Sequence, residues 1–331
     1  MRELVRTNDA VLVSAVQALL DAAHIHHLVL DQNMSVLEGS IGVLPRRVLV
    51  DDDDALAARR LLEDAGLGHE LRVDVRQAAE GDTSEDAVLG GRLRLRQPRR
   101  GHRVGHDAIL LAAATAARPG ERAVELGSGI GAAGLALAAR VRDLRVALVE
   151  VDPQLCALAA ANARANQLGD RVEAVCVDIA ASGALEAAGL APGSADRVLM
   201  NPPFNDPQRQ NVSPDAGRRL AHAAAPETLA LWIAAAARLL APDGQLTLIW
   251  RADGLADVVQ ELAPAFGGVT VLPVHSKSAE PAIRVLVRAT KGSRAPLALL
   301  PALVLNDRAG RPTDAAEAVL RQGAILALAE I

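Results

Sequence analysis

Aromatic side chains are almost missing from this chain, which has two tryptophans, two phenylalanines and no tyrosine in 331 residues. A core must therefore be built from alanine, leucine and valine, and each ring that does occur stands out from the composition. Cysteine is equally scarce. Cys156 falls in a helical pattern and Cys176 in an apolar strand pattern, which supports neither a disulfide framework nor a four-ligand zinc site. Both are expected to be buried, inert thiols. No apolar run reaches the roughly 20 residues that a bilayer-spanning helix needs. The start, Met1-Arg2-Glu3-Leu4-Val5-Arg6, lacks the apolar segment and small-residue cleavage site of a secretory signal. A soluble, cytoplasmic protein is expected.

What is present is an uneven charge. The net charge of −5 divides into 8 basic and 17 acidic side chains in residues 1–86 and 27 basic against 23 acidic in the rest. The larger, mildly basic part is compatible with a nucleic-acid substrate, whereas the first part would repel phosphates.

Hydrophobic periodicity predicts a small α+β domain over residues 1–75. Its strands are Glu3–Arg6, Ile25–Leu30 and Arg47–Val50, and its helices Ala10–Ala23 and Asp53–Ala65. Asp51–Asp54 read as first-turn carboxylates complementing a helix dipole rather than as a metal site. His24, His26 and His27 read as surface histidines of a strand edge. The polar stretch Gln77–Asp86 has the composition of a linker, placed at 76–88. From residue 89 to 331, strands and helices alternate, which predicts a doubly wound, mostly parallel seven-stranded α/β sheet. Its strands are Ala123–Leu126, Arg145–Glu150, Val172–Val177, Asp196–Met200, Gln245–Trp250, Val269–Val274 and Ile283–Ala289, with helices at Gly131–Val141, Pro153–Gln167 and Pro226–Leu240.

Chemistry concentrates at the C-terminal ends of these strands. Glu125-Leu126-Gly127-Ser128-Gly129-Ile130-Gly131 runs an apolar strand into three alternating glycines and a helix, a pattern that lets backbone approach a ligand closely. Glu125, Gly127, Gly129 and Gly131 are its candidate cofactor residues. Gly129-Ile130-Gly131-Ala132-Ala133-Gly134 also satisfies the dinucleotide fingerprint, so the turn alone leaves NAD and S-adenosylmethionine open. Glu150 ends the next strand, where a carboxylate can accept from both ribose hydroxyls of either cofactor. Asp178 follows the third strand, placed either to accept from an adenine amino group or to cap a helix.

Asn201-Pro202-Pro203-Phe204, directly after the fourth strand, decides between them. An exocyclic amine is a poor nucleophile because its lone pair is delocalised into the ring. The Asn201 amide oxygen and the Pro202 carbonyl can each accept one amine N–H, favouring a pyramidal nitrogen. The prolines fix the carbonyl's direction, and Phe204 offers a stacking face. Arg92, Arg94, Arg96, Arg99, Arg100 and Arg103 form the densest basic segment. Arg99, Arg100 and Arg103, with Pro203, are the candidate substrate contacts, although 33 arginines against 2 lysines also reads as biased composition.

The glycine turn, Glu150, Asp178 and Asn201–Phe204 together resemble the class I amino-group methyltransferases. Arg103-Val104-Gly105-His106-Asp107-Ala108-Ile109-Leu110-Leu111, Lys291-Gly292 and Leu303-Val304-Leu305-Asn306-Asp307 extend the resemblance to the bacterial valine-tRNA adenine-N6 methyltransferase family, over about residues 89–315. That family usually has Thr in place of His106, commonly Tyr in place of Phe204, and an acidic residue in place of Ala223. The resemblance implies S-adenosylmethionine as cofactor, Asp107 as a further cofactor contact, Asn201, Pro202 and Phe204 as the catalytic set, and RNA, specifically tRNA, as partner. No metal is implied. Guanine-N2 methylation of rRNA, protein-glutamine methylation and a non-catalytic RNA-binding role are the alternatives. Residues 1–67 resemble a small domain named for prokaryotic signal transduction, with Pro45-Arg46-Arg47-Val48-Leu49-Val50 as the matching strand.

Overall fold

Residues 2–7, 9–30, 46–51, 54–67, 83–99, 104–203 and 226–330 are described by the structure, a computed structural model. The chain divides into two compact units, Met1–Ala78 and Ala79–Ile331.

In the first unit the elements are β1 (Arg2–Thr7), α1 (Ala10–Ala22), β2 (His27–Leu30), β3 (Arg46–Val50) and α2 (Ala55–Asp64). The strands pair antiparallel in the order β1-β3-β2. Leu4, Val5, Val48 and Val50 of the sheet meet Val13, Val16 and Leu20 of α1 and Ala58 and Leu62 of α2 in one core. The three histidines do not converge. His24 takes a left-handed turn conformation (φ 56°), His26 lies 3.4 Å from Asp51, and His27 lies 3.8 Å from Asp21. Asp52 and Asp53 are outside the described residues.

The second unit opens with a hairpin, β4 (Thr83–Val88) and β5 (Leu93–Pro98), paired antiparallel. Residues 83–88, expected within a linker, are thus a strand. Its polar side chains occupy both faces of the two-stranded ribbon and none of its residues is fully buried, which hides the alternation that betrays strands in sequence. Next come α3 (His106–Ala114), β6 (Arg122–Leu126), α4 (Ala132–Arg140), β7 (Arg145–Glu150), α5 (Pro153–Ala165), β8 (Val172–Cys176), α6 (Ala184–Ala187) and β9 (Ala195–Met200). After the undescribed residues 204–225 follow α7 (Pro226–Leu239), β10 (Leu240–Arg251), α8 (Leu255–Leu262), β11 (Phe266–Lys277), β12 (Ala282–Lys291), β13 (Ala298–Leu299), β14 (Leu303–Asn306) and α9 (Asp314–Leu320).

One sheet gathers these strands in the order β13-β11-β12-β10-β9-β6-β7-β8, with β14 also pairing β11. Strands β6 to β10 run parallel, while β12 runs antiparallel to both β10 and β11. The seven expected strands are all present, and β13 and β14 widen the sheet to nine. Apolar layers cover both faces. Leu110, Leu111, Leu135 and Leu148 lie in one, and Leu126, Val198, Ile233, Leu248 and Val285 in the other. Chain order reverses at β6, which leads to β7 and β8 on one side and borders β9 and β10 on the other. A crevice beyond the strand ends at such a reversal is where open α/β sheets bind ligands.

Candidate functional site

Strand β6 delivers Glu125 and the three glycines to the reversal point. Gly127, Gly129 and Gly131 all take positive φ, at 64°, 55° and 86°, so a side chain at any of them strains the turn. Their surroundings differ. A Cβ on Gly131 would sit 2.7 Å from Leu148, and one on Gly127 would collide with the Trp232 ring, whereas one on Gly129 would meet nothing within 4 Å. Gly129 therefore lines open space while its neighbours serve close packing.

Two buried carboxylates hold this turn. Oε2 of Glu150 accepts from Gly129 N at 2.8 Å, and Oε1 accepts from Val151 N and Asp152 N, each at 2.9 Å. Three of the about four acceptor positions of a carboxylate are thus occupied within the chain. Glu125 Oε2 accepts from Gly134 N at 2.7 Å, pinning the first turn of α4. Burial pushes the Glu125 carboxyl up to about 8; the Gly134 N–H opposes the rise and Glu150 adds to it. Burial thus favours the protonated form of Glu125 beneath the turn.

Asp178 is exposed, and its Oδ1 accepts from Ala180 N at 2.8 Å, a local turn bond. Asp107, in the first turn of α3, pairs with Arg284 of β12 at 3.0 Å. Cys156 is buried, but Cys176 is exposed at the end of β8, which corrects the expectation of two buried thiols. Cys176 is the last residue of β8, the edge strand, and on the face it shares with Val172 and Ala174 burial falls from buried Val172 through half-buried Ala174 to exposed Cys176. Burial, with Cys176, Glu150 and Asp152 adding to it, pushes the Cys156 thiol up to about 12.

Asn201 emerges from β9 beside Pro202, which is buried, and Pro203, which is half-buried. Its Oδ1 is buried without a hydrogen-bond partner among the described residues, an uncommon state for a buried polar oxygen. Phe204, Arg100, Arg103 and Ala223 fall outside the described residues. Arg99 is exposed, and along β5 Arg94 and Arg96 are exposed while Leu93, Leu95 and Gln97 are buried, so these two arginines share one face of the strand. Both arginines lie beside Glu85, at 3.3 and 4.0 Å.

Two residues not singled out from the sequence shape the site. Asn162 of α5 is fully buried; its Oδ1 accepts from Arg96 N, and its Nδ2 donates to Arg96 O and to Ile130 O of the glycine turn. It ties the hairpin to the turn. Trp232 of α7 lays its ring against Gly127. Asn162 carried no sequence signal beyond a polar residue in an alanine-rich helix, whereas Trp232 was marked by the scarcity of aromatics. Among the described residues no group of three or more His, Cys, Asp or Glu side chains could hold a metal ion, and no helix is long and apolar enough to cross a membrane.

Comparison with known proteins agrees with this geometry. Residues 103–277 match the methyltransferase small domain, and residues 1–66 match a family named for prokaryotic signal transduction. A tRNA1(Val) (adenine(37)-N6)-methyltransferase of Porphyromonas gingivalis is 34% identical over 160 residues, 47% of this chain and 61% of that protein. The chain thus spans about three fifths of that relative's length. The protein of the same name from Aeromonas hydrophila is 30% identical over 197 residues, 57% of this chain and 77% of its own. Among solved structures, one from Agrobacterium tumefaciens described as a predicted O-methyltransferase superposes with a TM-score of 0.55 at 28% identity, covering 66% of this chain and 98% of its own.

Proposed function

Since the chain belongs to the methyltransferase small-domain family, we propose that it transfers a methyl group from S-adenosylmethionine to an exocyclic amine, N6 of an adenine in tRNA. The observation that carries this reading is the buried Oδ1 of Asn201 at the end of β9, unpartnered among the described residues. A buried acceptor without a donor costs about 1–3 kcal/mol, and a substrate N–H arriving there relieves that cost at the reacting nitrogen. The adenine target rests on the two relatives of that name.

The residues present fit the cofactor. Gly129 lines open space that a Cβ would fill, and Glu150 keeps acceptor capacity beside it. Glu125, Gly127, Gly131, Asp178 and Asp107 complete the proposed cofactor set. When bound, S-adenosylmethionine supplies an electrophilic sulfonium methyl. The chain's own part is orientation: Asn201 Oδ1 and the Pro202 carbonyl each accept one amine N–H, and Pro203 and Phe204 set the base plane. This alignment draws the nitrogen lone pair out of conjugation and toward the methyl. A base must leave its stack to reach the crevice, with Arg99, Arg100 and Arg103 contacting the RNA. Such work fits the cytoplasm, with residues 1–75 as a separate domain and residues 89–331 as the catalytic domain.

The test is mass spectrometry of nucleosides from tRNA incubated with the protein and methyl-labelled cofactor. Labelled N6-methyladenosine is expected. N2-methylguanosine would move the target to guanine, and label in protein glutamine would remove nucleic acid from the account.

A further inference from the structure

At the end of the sheet opposite the glycine turn lies a groove of about 630 Å³ lined by Arg122, Arg145, Arg164, Arg171, Asp170 and Glu173, among others. Three of these arginines form a row. Arg122 of β6 is the direct neighbour of Arg145 of β7, and Val146 N bonds Arg171 O at the entrance of β8. Adjacent strands lie about 4.8 Å apart, and like charges placed side by side across strands are destabilising. None of the four guanidinium groups has an ion pair among the described residues. Arg122 donates to Gly189 O, and Arg171 donates to Val141 O and Leu144 O, which fixes two of the groups in place. Arg145 and Arg164 are exposed. Four cations against two carboxylates leave an excess that an anion would neutralise, and guanidinium matches phosphate with two parallel N–H bonds.

We propose that this groove binds phosphate groups of the RNA backbone, as an anchor remote from the methyl-transfer centre. The proposal rests on the reading of the protein as an RNA methyltransferase. A repeating anion is favoured over a single small one because the positive surface does not stop at the groove. Strand β5 crosses α5 from Asn166, whose Oδ1 accepts from Arg94 N, to Asn162, which bonds Arg96 and also Ile130 of the glycine turn. Exposed Arg94 and Arg96 therefore lie along the side of α5 that carries Asn162 and Asn166, while Arg164, two residues from each, stands on the opposite side, so cationic side chains flank this one helix. A chain of phosphates passing the helix meets both groups, whereas a free phosphate needs only the groove.

The doubly substituted protein Arg145→Gln, Arg164→Gln tests the assignment against the wild type and against Arg308→Gln, an exposed arginine outside both regions. Binding of full-length tRNA is measured across a salt series, cofactor affinity by calorimetry, and methyl transfer as separate KM and kcat. The double variant is expected to raise the RNA Kd and KM about 10-fold and to flatten the log Kd against log salt slope by about 1 to 2, with kcat and cofactor affinity held and Arg308→Gln unchanged. A second arm titrates inorganic pyrophosphate into the wild type and the double variant. Pyrophosphate binding lost in the variant with RNA affinity unchanged would overturn the RNA assignment in favour of a small phosphate ligand. No change in either arm would overturn the site. A wild type that methylates no RNA contradicts the functional reading instead, and is seen without any variant.

Discussion

The glycine turn and the Asn201 turn stand at the ends of neighbouring strands, β6 and β9, yet their polar atoms are arranged in opposite ways. Around the glycines the chain supplies its own partners. Glu150 holds three backbone N–H groups and Glu125 a fourth, leaving Ser128 Oγ as the one open side-chain atom there among the described residues. At Asn201 the side-chain oxygen is left open among the described residues. A turn completed internally is rigid before any ligand arrives, which suits binding. An acceptor left unmatched gains its partner only with substrate, which suits a step that depends on how an amine is held.

The glycines allow this contrast to be broken within a single turn. Gly131→Ala places a Cβ against Leu148 at a left-handed position and should destabilise the fold by about 2–5 kcal/mol, from backbone strain plus overpacking. Gly129→Ala faces open space and should lose only about 1–2 kcal/mol for the left-handed φ, yet abolish cofactor binding. Thermal denaturation and calorimetry on both variants check this. Equal stability losses with cofactor binding kept would mean that Gly129 does not line the site.

Glu125 sharpens the comparison through pH. Its folded-state carboxyl is raised from 4.5 to about 8, so the folded state holds a proton that the unfolded chain has released. The stability linked to that proton is full below pH 4.5 and is lost as pH rises through 8, a loss of a few kcal/mol. Glu125→Gln keeps an acceptor for Gly134 N–H and cannot ionise. Its denaturant midpoint should vary less between pH 5 and about 8.5 than that of the wild type. An unchanged pH profile would place the titrating group elsewhere.

The smallest effects concern the stacking ring. Phe204→Ala should weaken RNA binding by about 1–3 kcal/mol, while Phe204→Tyr keeps the ring and should be nearly silent in KM and kcat. A large loss in the tyrosine variant would show that the ring edge, rather than its face, meets the base.

What could be read from the sequence was whatever depends on backbone freedom or on position along one strand. Glycines at alternating positions after an apolar run announce a turn, and Glu150 and Asn201 follow from strand ends. Strand direction is not written in hydrophobic pattern, so the antiparallel setting of β12 was not foreseen. The polar β4 reads as linker because a two-stranded ribbon buries little. Asn162 was missed because its three bonds run to residues 32 and 66 positions away. The arginines of the groove are scattered from 122 to 171 and become a row only through the β6-β7-β8 register. Cys176 reads as core from its apolar strand, but burial falls off toward the end of a strand at the sheet edge.

The account stands most directly on Asn201→Ala, measured by single-turnover methyl transfer to tRNA alongside calorimetry of the cofactor. Removing the open acceptor should slow the chemical step by about 10²–10³, the scale for one preorganised group at a reacting centre, and leave cofactor affinity within twofold of wild type. Unimpaired transfer would contradict the assignment of Asn201 as the group that orients the amine, and a collapse of cofactor binding with the fold intact would contradict the separation of the two turns.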